Sequence, residues 1–131
     1  MSIEDDILGK AEGIEVRIMD LSGANGSEPI ETVRGFTSLA HANAFARRYV
    51  RDSMEICRPR GASADEARDA WFAFGEDAVI DGTEGAWTSA SELADFAAAP
   101  SRDPEDRNWR SLDPRRIGDD EDDGDDEGEG A

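Results

Sequence analysis

Three residue types that often carry chemistry are almost absent from this chain of 131 residues. Cysteine, histidine and lysine each occur once, as Cys57, His41 and Lys10. A lone cysteine excludes an intramolecular disulfide, and one cysteine with one histidine is too few for a zinc site. The two lie 16 residues apart on a predicted helix, roughly 24 Å at about 1.5 Å per residue, too far for a nucleophile–base pair within one chain. We expect no metal and no cofactor.

Long apolar runs and nucleotide-binding motifs are missing as well. No segment approaches the roughly 18 consecutive apolar residues of a membrane-spanning helix. The opening MSIEDDILGKAEG carries acids where a signal peptide carries bases. No glycine-rich phosphate loop or nucleophile elbow occurs. The sequence therefore predicts a cytoplasmic protein without a membrane partner, and it favours a non-enzyme over an enzyme.

Acidic residues dominate the charge. The 32 Asp and Glu against 14 Lys and Arg give a net charge of −18. Nine of these acids fall in residues 119–129, which contain no base, so residues 118–131 are predicted to form a disordered tail. Because such a field repels phosphate backbones, we expect no direct nucleic-acid binding. Composition leaves open whether the acidity reflects salt adaptation or function.

A β-hairpin is predicted near the start of the chain. Residues 14–21 alternate apolar and polar side chains, turn-forming residues follow, and residues 30–36 have the composition of a second strand. A two-residue Asn-Gly loop would place Asp20 opposite Glu31, and like charges directly opposite are unfavourable. We therefore expect a longer loop and a shifted register.

The next segment predicts a long amphipathic helix. Thr37 or Ser38 is its N-cap, and Pro59 with Gly61 ends it at about Cys57. Its apolar stripe has helical spacing and comprises Leu39, Ala42, Phe45, Ala46, Tyr49, Val50, Ile56 and Cys57.

The following region is predicted to be richer in strand. Residues 63–66 have the capping-box pattern S-x-x-E, which predicts a short helical turn over 64–69. The aromatic and β-branched residues of 70–80 favour one bent strand or a second hairpin. A second capping box at 89–92 predicts a helix over about 90–98.

Two segments of the chain echo each other. Residues 36–46, FTSLAHANAFA, and 87–97, WTSASELADFA, both begin with an aromatic and Thr-Ser and end with Phe-Ala. Each follows a stretch read as β-rich, so we interpret residues 14–50 and 70–98 as an internal repeat of strand, strand and helix. The convergence of two strand-to-helix junctions on one local solution explains the echo equally well.

These elements predict an α+β fold. The core domain spans residues 13–100 and forms one small antiparallel sheet of three to five strands, with both helices packed on one face. An N-terminal segment, 1–12, precedes it. A charged arm, 101–117, and the acidic tail, 118–131, follow, and the arm is ordered only if Trp109 docks.

The strongest departure from the global charge is a group of arginines. Residues 47–60 carry about +3. We predict a partner-binding surface for a protein with an acidic patch, formed by Arg47, Arg48, Arg51, Arg58, Arg60, Trp109 and Leu112. The alternatives are a solvated helix face with i,i+4 ion pairs such as Arg48–Asp52, or a surface covered by the acidic tail.

The leading functional hypothesis is a small non-enzymatic interaction or regulatory module, such as an accessory subunit of a larger complex. One alternative is an acidic nucleic-acid mimic that inhibits a DNA-binding protein. Another is an enzyme whose site is assembled across a dimer from His41, Cys57 or the acids of 76–81. The sequence does not fix the oligomeric state.

Overall fold

A three-stranded antiparallel sheet with helices forms the fold. The computed structural model describes residues 14–80 and 83–115, and the predicted N-terminal segment and acidic tail lie outside them. The elements, in chain order, are β1 (Val16–Asp20), β2 (Glu31–Val33), α1 (Leu39–Cys57), α2 (Ala64–Phe74), β3 (Glu76–Ile80), a 3-10 turn (Ser89–Ser91), α3 (Leu93–Ala98) and two further 3-10 turns (Pro104–Arg107 and Arg110–Leu112). The strand order is β2-β1-β3. The predicted α+β class with an antiparallel sheet is confirmed.

The predicted hairpin and its shifted register are confirmed. Val16 pairs with Val33, and Ile18 pairs with Glu31, so Asp20 no longer faces Glu31. The shift keeps Val16 and Ile18 fully buried. Because the shift is of two residues, the same strand face stays buried, and the avoidance of like charges is what distinguishes the two registers.

Helix α1 begins and ends where predicted. Ser38 is the N-cap, and its Oγ accepts a hydrogen bond from the His41 N–H at 3.1 Å. The inward position assigned to Ile56 is wrong, because its side chain is 71% exposed. Met54 and Ser53 are the buried residues of that turn instead.

Helix α2 corrects the sequence interpretation of residues 70–75. The capping box at Ser63 and Glu66 forms as predicted, but the helix continues to Phe74 instead of giving way to a strand. Ala67 and Trp71 lie four residues apart and are buried together, which is helical spacing and outweighs the strand preference of the aromatic residues. The second half of the proposed repeat therefore contributes one strand, β3, and not two.

The echo is structural only in part. Phe45 and Phe96 are both buried, as expected from their matching positions. Ser38 caps its helix, whereas the second capping box is wrong: a 3-10 turn replaces it, and the Glu92 carboxylate accepts hydrogen bonds from Arg47 and from the Trp87 indole. Helix α3 is shorter than predicted as a result.

Residues 99–115, which we call the strap, lie along α1 and extend toward β2. Trp109 docks with its ring centroid 4.8 Å from that of Tyr49 and edge-on to Phe45 at 5.9 Å. At the end of the strap, Arg115 forms an ion pair with Glu31 of β2. Within the described residues, Trp109 is thus docked on α1.

Candidate functional site

The arginines of α1 are engaged inside the chain. Arg47 donates through Nε to both carboxylate oxygens of Glu92, at 2.8 and 3.0 Å. Arg48 donates to Glu105 at 3.0 Å, so the predicted pair with Asp52 is replaced by a partner from the strap. Asp52 in turn accepts from Arg107 at 2.8 Å. These bonds tie α3 and the strap to α1.

Arg58 and Arg51 hold the end of α3. Arg58 donates to the carbonyls of Phe96 and Ala97 at 2.6 and 2.9 Å. Arg51 donates to the Ala99 carbonyl at 3.0 Å and places its guanidinium 4.7 Å from the Phe96 ring centroid. These are the carbonyls that a helix C-terminus leaves unsatisfied, so the two arginines act as its cap.

Glu55 forms ion pairs with both of these arginines. Its carboxylate accepts from Arg58 at 2.9 Å and from the Ser101 N–H at 3.0 Å, and it forms an ion pair with Arg51. Burial raises the pKa of Glu55, but the hydrogen bonds from Arg58 and Ser101 and the charges of Arg58 and Arg51 outweigh it and leave the pKa lowered. Arg60 is exposed. A partner-binding role for this arginine surface stays a prediction.

A different surface contains a cavity at the meeting point of three segments of the chain. A groove of about 240 Å³ runs beside the C-terminal half of α1. Helix α1 contributes one face to it, made of Tyr49, Asp52, Ser53, Ile56 and Cys57. These residues follow the spacing i, i+3, i+4, i+7, i+8, which places them on one face over adjacent turns of the helix.

The opposite wall of the groove comes from two other segments. The junction of α2 and β3 supplies Phe74, Gly75 and Glu76, and the strap supplies Trp109 and Arg110. The Arg110 guanidinium lies 4.4 Å from the centroid of the Trp109 indole. We call the ten residues of the two walls the groove. Its wall from the strap depends on the docking of Trp109.

Glu76 is held in place by neighbouring side chains of α1. The Tyr49 hydroxyl donates to Glu76 Oε1 at 2.5 Å, and Ser53 Oγ accepts from the Glu76 N–H at 2.9 Å. Ser53 Oγ also accepts from the Trp71 indole at 3.2 Å. Burial, followed by the hydrogen bond to Glu76 and its charge, raises the pKa of Tyr49 far above its usual value. The tyrosine therefore stays a neutral donor.

The residues considered for catalysis are only partly brought together. Cys57 lines the groove with Glu76, but burial, and then the charge of Glu76, raise the pKa of the thiol despite a hydrogen bond with Ser53. His41 lies at the other end of α1, where Nδ1 accepts from the Thr37 N–H at 3.1 Å and Nε2 lies 2.7 Å from the Leu112 carbonyl. His41 and Cys57 do not form a pair.

The two described acids of the 76–81 segment, Glu76 and Asp77, do not form a cluster. Successive residues of a strand point to opposite faces of the sheet, so Asp77 points away from Glu76. Its carboxylate accepts from the Ala78 N–H at 2.8 Å and bonds Ser89, and burial raises its pKa. Asp81 lies outside the described residues. Within residues 14–80 and 83–115, no three His, Cys, Asp or Glu residues are placed to hold a metal ion.

The rim of the groove is apolar and exposed. Ile56 on α1 is 71% exposed, and Phe74 at the end of α2 is 75% exposed. The sequence analysis placed Ile56 in the buried stripe of its helix and assigned Phe74 to a strand. Ile56 lies two helical turns after Tyr49 on the same face, and the Trp109 ring that covers Tyr49 leaves Ile56 open.

No family model, curated protein or solved structure matches the chain. None of the helices in the described part of the chain has the length and apolar character needed to cross a membrane. The functional interpretation therefore depends on the geometry of the groove.

Proposed function

We propose that this chain is a protein-interaction module whose groove takes a segment of a partner protein that carries apolar and basic side chains. The observation that carries the proposal is the exposure of Ile56 and Phe74 on the two sides of one cavity. Large apolar side chains exposed beside a cavity are typical of interaction sites. The proposal keeps the interaction-module hypothesis and changes both the surface and the charge of the expected partner.

The size of the groove supports a peptide segment over a cofactor. Pockets for drug-sized ligands and cofactors occupy roughly 300–1,000 Å³, and this cavity is about 240 Å³. A volume of this size suits one side chain. The apolar rim then provides contacts for the neighbouring residues of the same segment.

Charge supports a basic partner. Glu76 lines the groove, where Asp52 is already paired with Arg107, and the chain as a whole carries −18. A field of that sign attracts cationic segments over long distances and raises their association rate. The arginine on the groove wall, Arg110, has its guanidinium over the Trp109 ring.

The test compares two phenylalanines of one helix. Phe74 is 75% exposed on the rim, and Phe72 is 51% exposed and packs against Trp71 at 5.2 Å. Two positions along a helix differ by about 200° in direction, so Phe72→Ser removes a similar exposed ring from another face. Tagged Phe74→Ser, Phe72→Ser, Ile56→Ser and wild-type chains are each used to capture partners from native extract. Circular dichroism verifies that each chain is folded.

We expect the wild type and Phe72→Ser to capture the same protein, and Phe74→Ser and Ile56→Ser to lose it. Retention of that protein by folded Phe74→Ser and Ile56→Ser would show that the groove rim is not the binding surface. Equal loss from Phe72→Ser and Phe74→Ser would also contradict the proposal, because it would point to helix α2 as a whole.

A further inference from the structure

Resting on the proposed function, we infer that the groove is a pocket for a single arginine or lysine side chain of the partner, with Glu76 as its counter-charge. The inference names the residue that enters the cavity and the residue that recognises it. It follows from the position of Glu76, the state of the neighbouring acid and the aromatic walls.

Glu76 offers a carboxylate with a fixed orientation. It is the first residue of β3, its N–H is bonded to Ser53, and its Oε1 accepts from the Tyr49 hydroxyl. A carboxylate has about four acceptor sites, and this hydroxyl uses one of them. Because Tyr49 can donate but brings no positive charge, the negative charge of Glu76 is oriented without being neutralised by it.

The other acid of the groove is already paired. Asp52 Oδ1 accepts from Arg107 at 2.8 Å, and Asp52 Oδ2 accepts from the Trp109 indole at 3.2 Å. Asp52 therefore positions the strap, and its charge is balanced by Arg107. This leaves Glu76 as the carboxylate of the groove that can pair with an incoming cation.

The walls suit the stem of a long basic side chain. The rings of Tyr49 and Trp109 pack against each other, with their centroids 4.8 Å apart, and both rings line the cavity. Lysine and arginine bury their methylene stems against apolar surface while the charged head finds a polar partner, and aromatic faces attract cations. The Arg110 guanidinium already lies over the Trp109 ring, 4.4 Å from its centroid, so the incoming charged head pairs with Glu76 and not with that ring.

The apolar rim defines the sequence around the basic residue. Ile56 and Phe74 line the cavity from two different segments, α1 and the end of α2, and both are exposed. The residues before and after the inserted side chain would contact them. The segment recognised by the groove therefore has the order apolar, basic, apolar.

The experiment titrates the full-length, nitrogen-15-labelled chain with three capped tripeptides and follows amide and indole signals by NMR. The peptides are Leu-Arg-Leu, its citrulline analogue, which keeps the shape without the charge, and Leu-Glu-Leu. Glu76→Gln tests the counter-charge, and Glu84→Gln, an exposed glutamate outside the groove, is the matched control.

We expect Leu-Arg-Leu to perturb the Glu76 amide and the Trp109 indole. The citrulline peptide and the Glu76→Gln variant should each weaken binding about tenfold, as expected for loss of a charge-assisted hydrogen bond. Glu84→Gln should bind as the wild type does. Leu-Glu-Leu should not perturb these signals.

Groove signals that shift equally with the arginine and citrulline peptides would overturn the inference and leave the proposed function standing, since the apolar rim alone would then explain binding. Undiminished binding of Leu-Arg-Leu to Glu76→Gln would also overturn it. If no peptide perturbs the groove, the inference fails, and retention of the captured protein by Phe74→Ser then decides whether the proposed function fails with it.

Discussion

The Tyr49 hydroxyl and the Glu76 carboxylate are joined by a hydrogen bond of 2.5 Å. This contact connects the middle of α1 to the first residue of β3. It also fixes the carboxylate that faces the groove. The packing of the helix on the sheet and the chemistry of the groove therefore depend on the same pair of side chains.

The titration of Tyr49 provides the first prediction. Because Tyr49 is the only tyrosine of the chain, tyrosinate absorbance reports on it alone. Its pKa is raised in the fold, so the phenol favours folding below the unfolded value of 10.0, and this contribution is lost as the pH rises above it. We expect no tyrosinate at pH 10.0 while circular dichroism shows a folded chain. A midpoint near 10.0 without unfolding would contradict the burial and bonding of Tyr49.

Acid sensitivity should depend on Glu55. Its pKa is lowered below 4.5 in the fold, so its contribution to stability is present above 4.5 and is lost as the pH falls through the folded value. Glu55→Gln should lower the free energy of unfolding at neutral pH by about 2 kcal/mol and should make stability less dependent on pH in the acid range. Denaturant unfolding at neutral and at acid pH measures the free energy of unfolding and its dependence on pH. Glu84→Gln is the control and should change neither of them. An unchanged acid dependence in Glu55→Gln would refute the role given to this ion-pair cluster.

The packing of the strap on α1 should depend on the ring of Trp109. Trp109 packs on Tyr49 and Phe45 and bonds Asp52. Trp109→Ala should cost about 2–3 kcal/mol, somewhat less than a fully buried tryptophan, and should speed amide hydrogen exchange throughout residues 99–115. Arg102→Gln, an exposed change within the strap, should leave exchange unchanged. Slow exchange in Trp109→Ala would mean that the ion pairs alone hold the strap.

The position of Gly75 predicts whether Gly75→Ala stabilises or destabilises the chain. Its backbone angles, φ −87° and ψ −171°, are open to any residue, so Gly75→Ala would by itself stabilise the chain by reducing unfolded-state entropy. A Cβ there, however, would lie 2.3 Å from Trp71 Cδ1 and 2.7 Å from the Trp71 carbonyl oxygen. We therefore expect a loss of about 1–3 kcal/mol in denaturant unfolding. A gain in stability would show that Trp71 does not pack against this position.

The local patterns of the sequence predicted much of the fold. The alternation of apolar and polar side chains predicted the first strand. The like charges of Asp20 and Glu31 predicted the register shift, and Ser38 predicted the start of α1. Each of these depends on near neighbours in the chain or in a hairpin. The strand interpretation of residues 70–75 was wrong because the burial of Trp71, whose indole donates to Ser53 of α1, is a long-range contact. Intrinsic preference does not contain such contacts.

The groove could not be predicted for the same reason. It forms where α1, the junction after Phe74 and the strap meet, and these are distant in sequence. The arginines of α1 suggested a docking surface because their partners Glu92 and Glu105 lie more than 40 residues away. Ile56 was assigned to the core because its helical spacing is that of the buried stripe, but its side chain is 71% exposed in the fold.

The most direct test of the central claim is a site-specific photo-crosslink. The phenylalanine analogue benzoylphenylalanine replaces Phe74 in one form of the chain and Phe72 in another, and each form is irradiated in the cells that produce the protein. We predict a discrete crosslinked product from position 74, containing a partner segment with a basic residue between apolar ones, and no such product from position 72. The same product from both positions, or from position 72 alone, would contradict the assignment of the groove as the binding site.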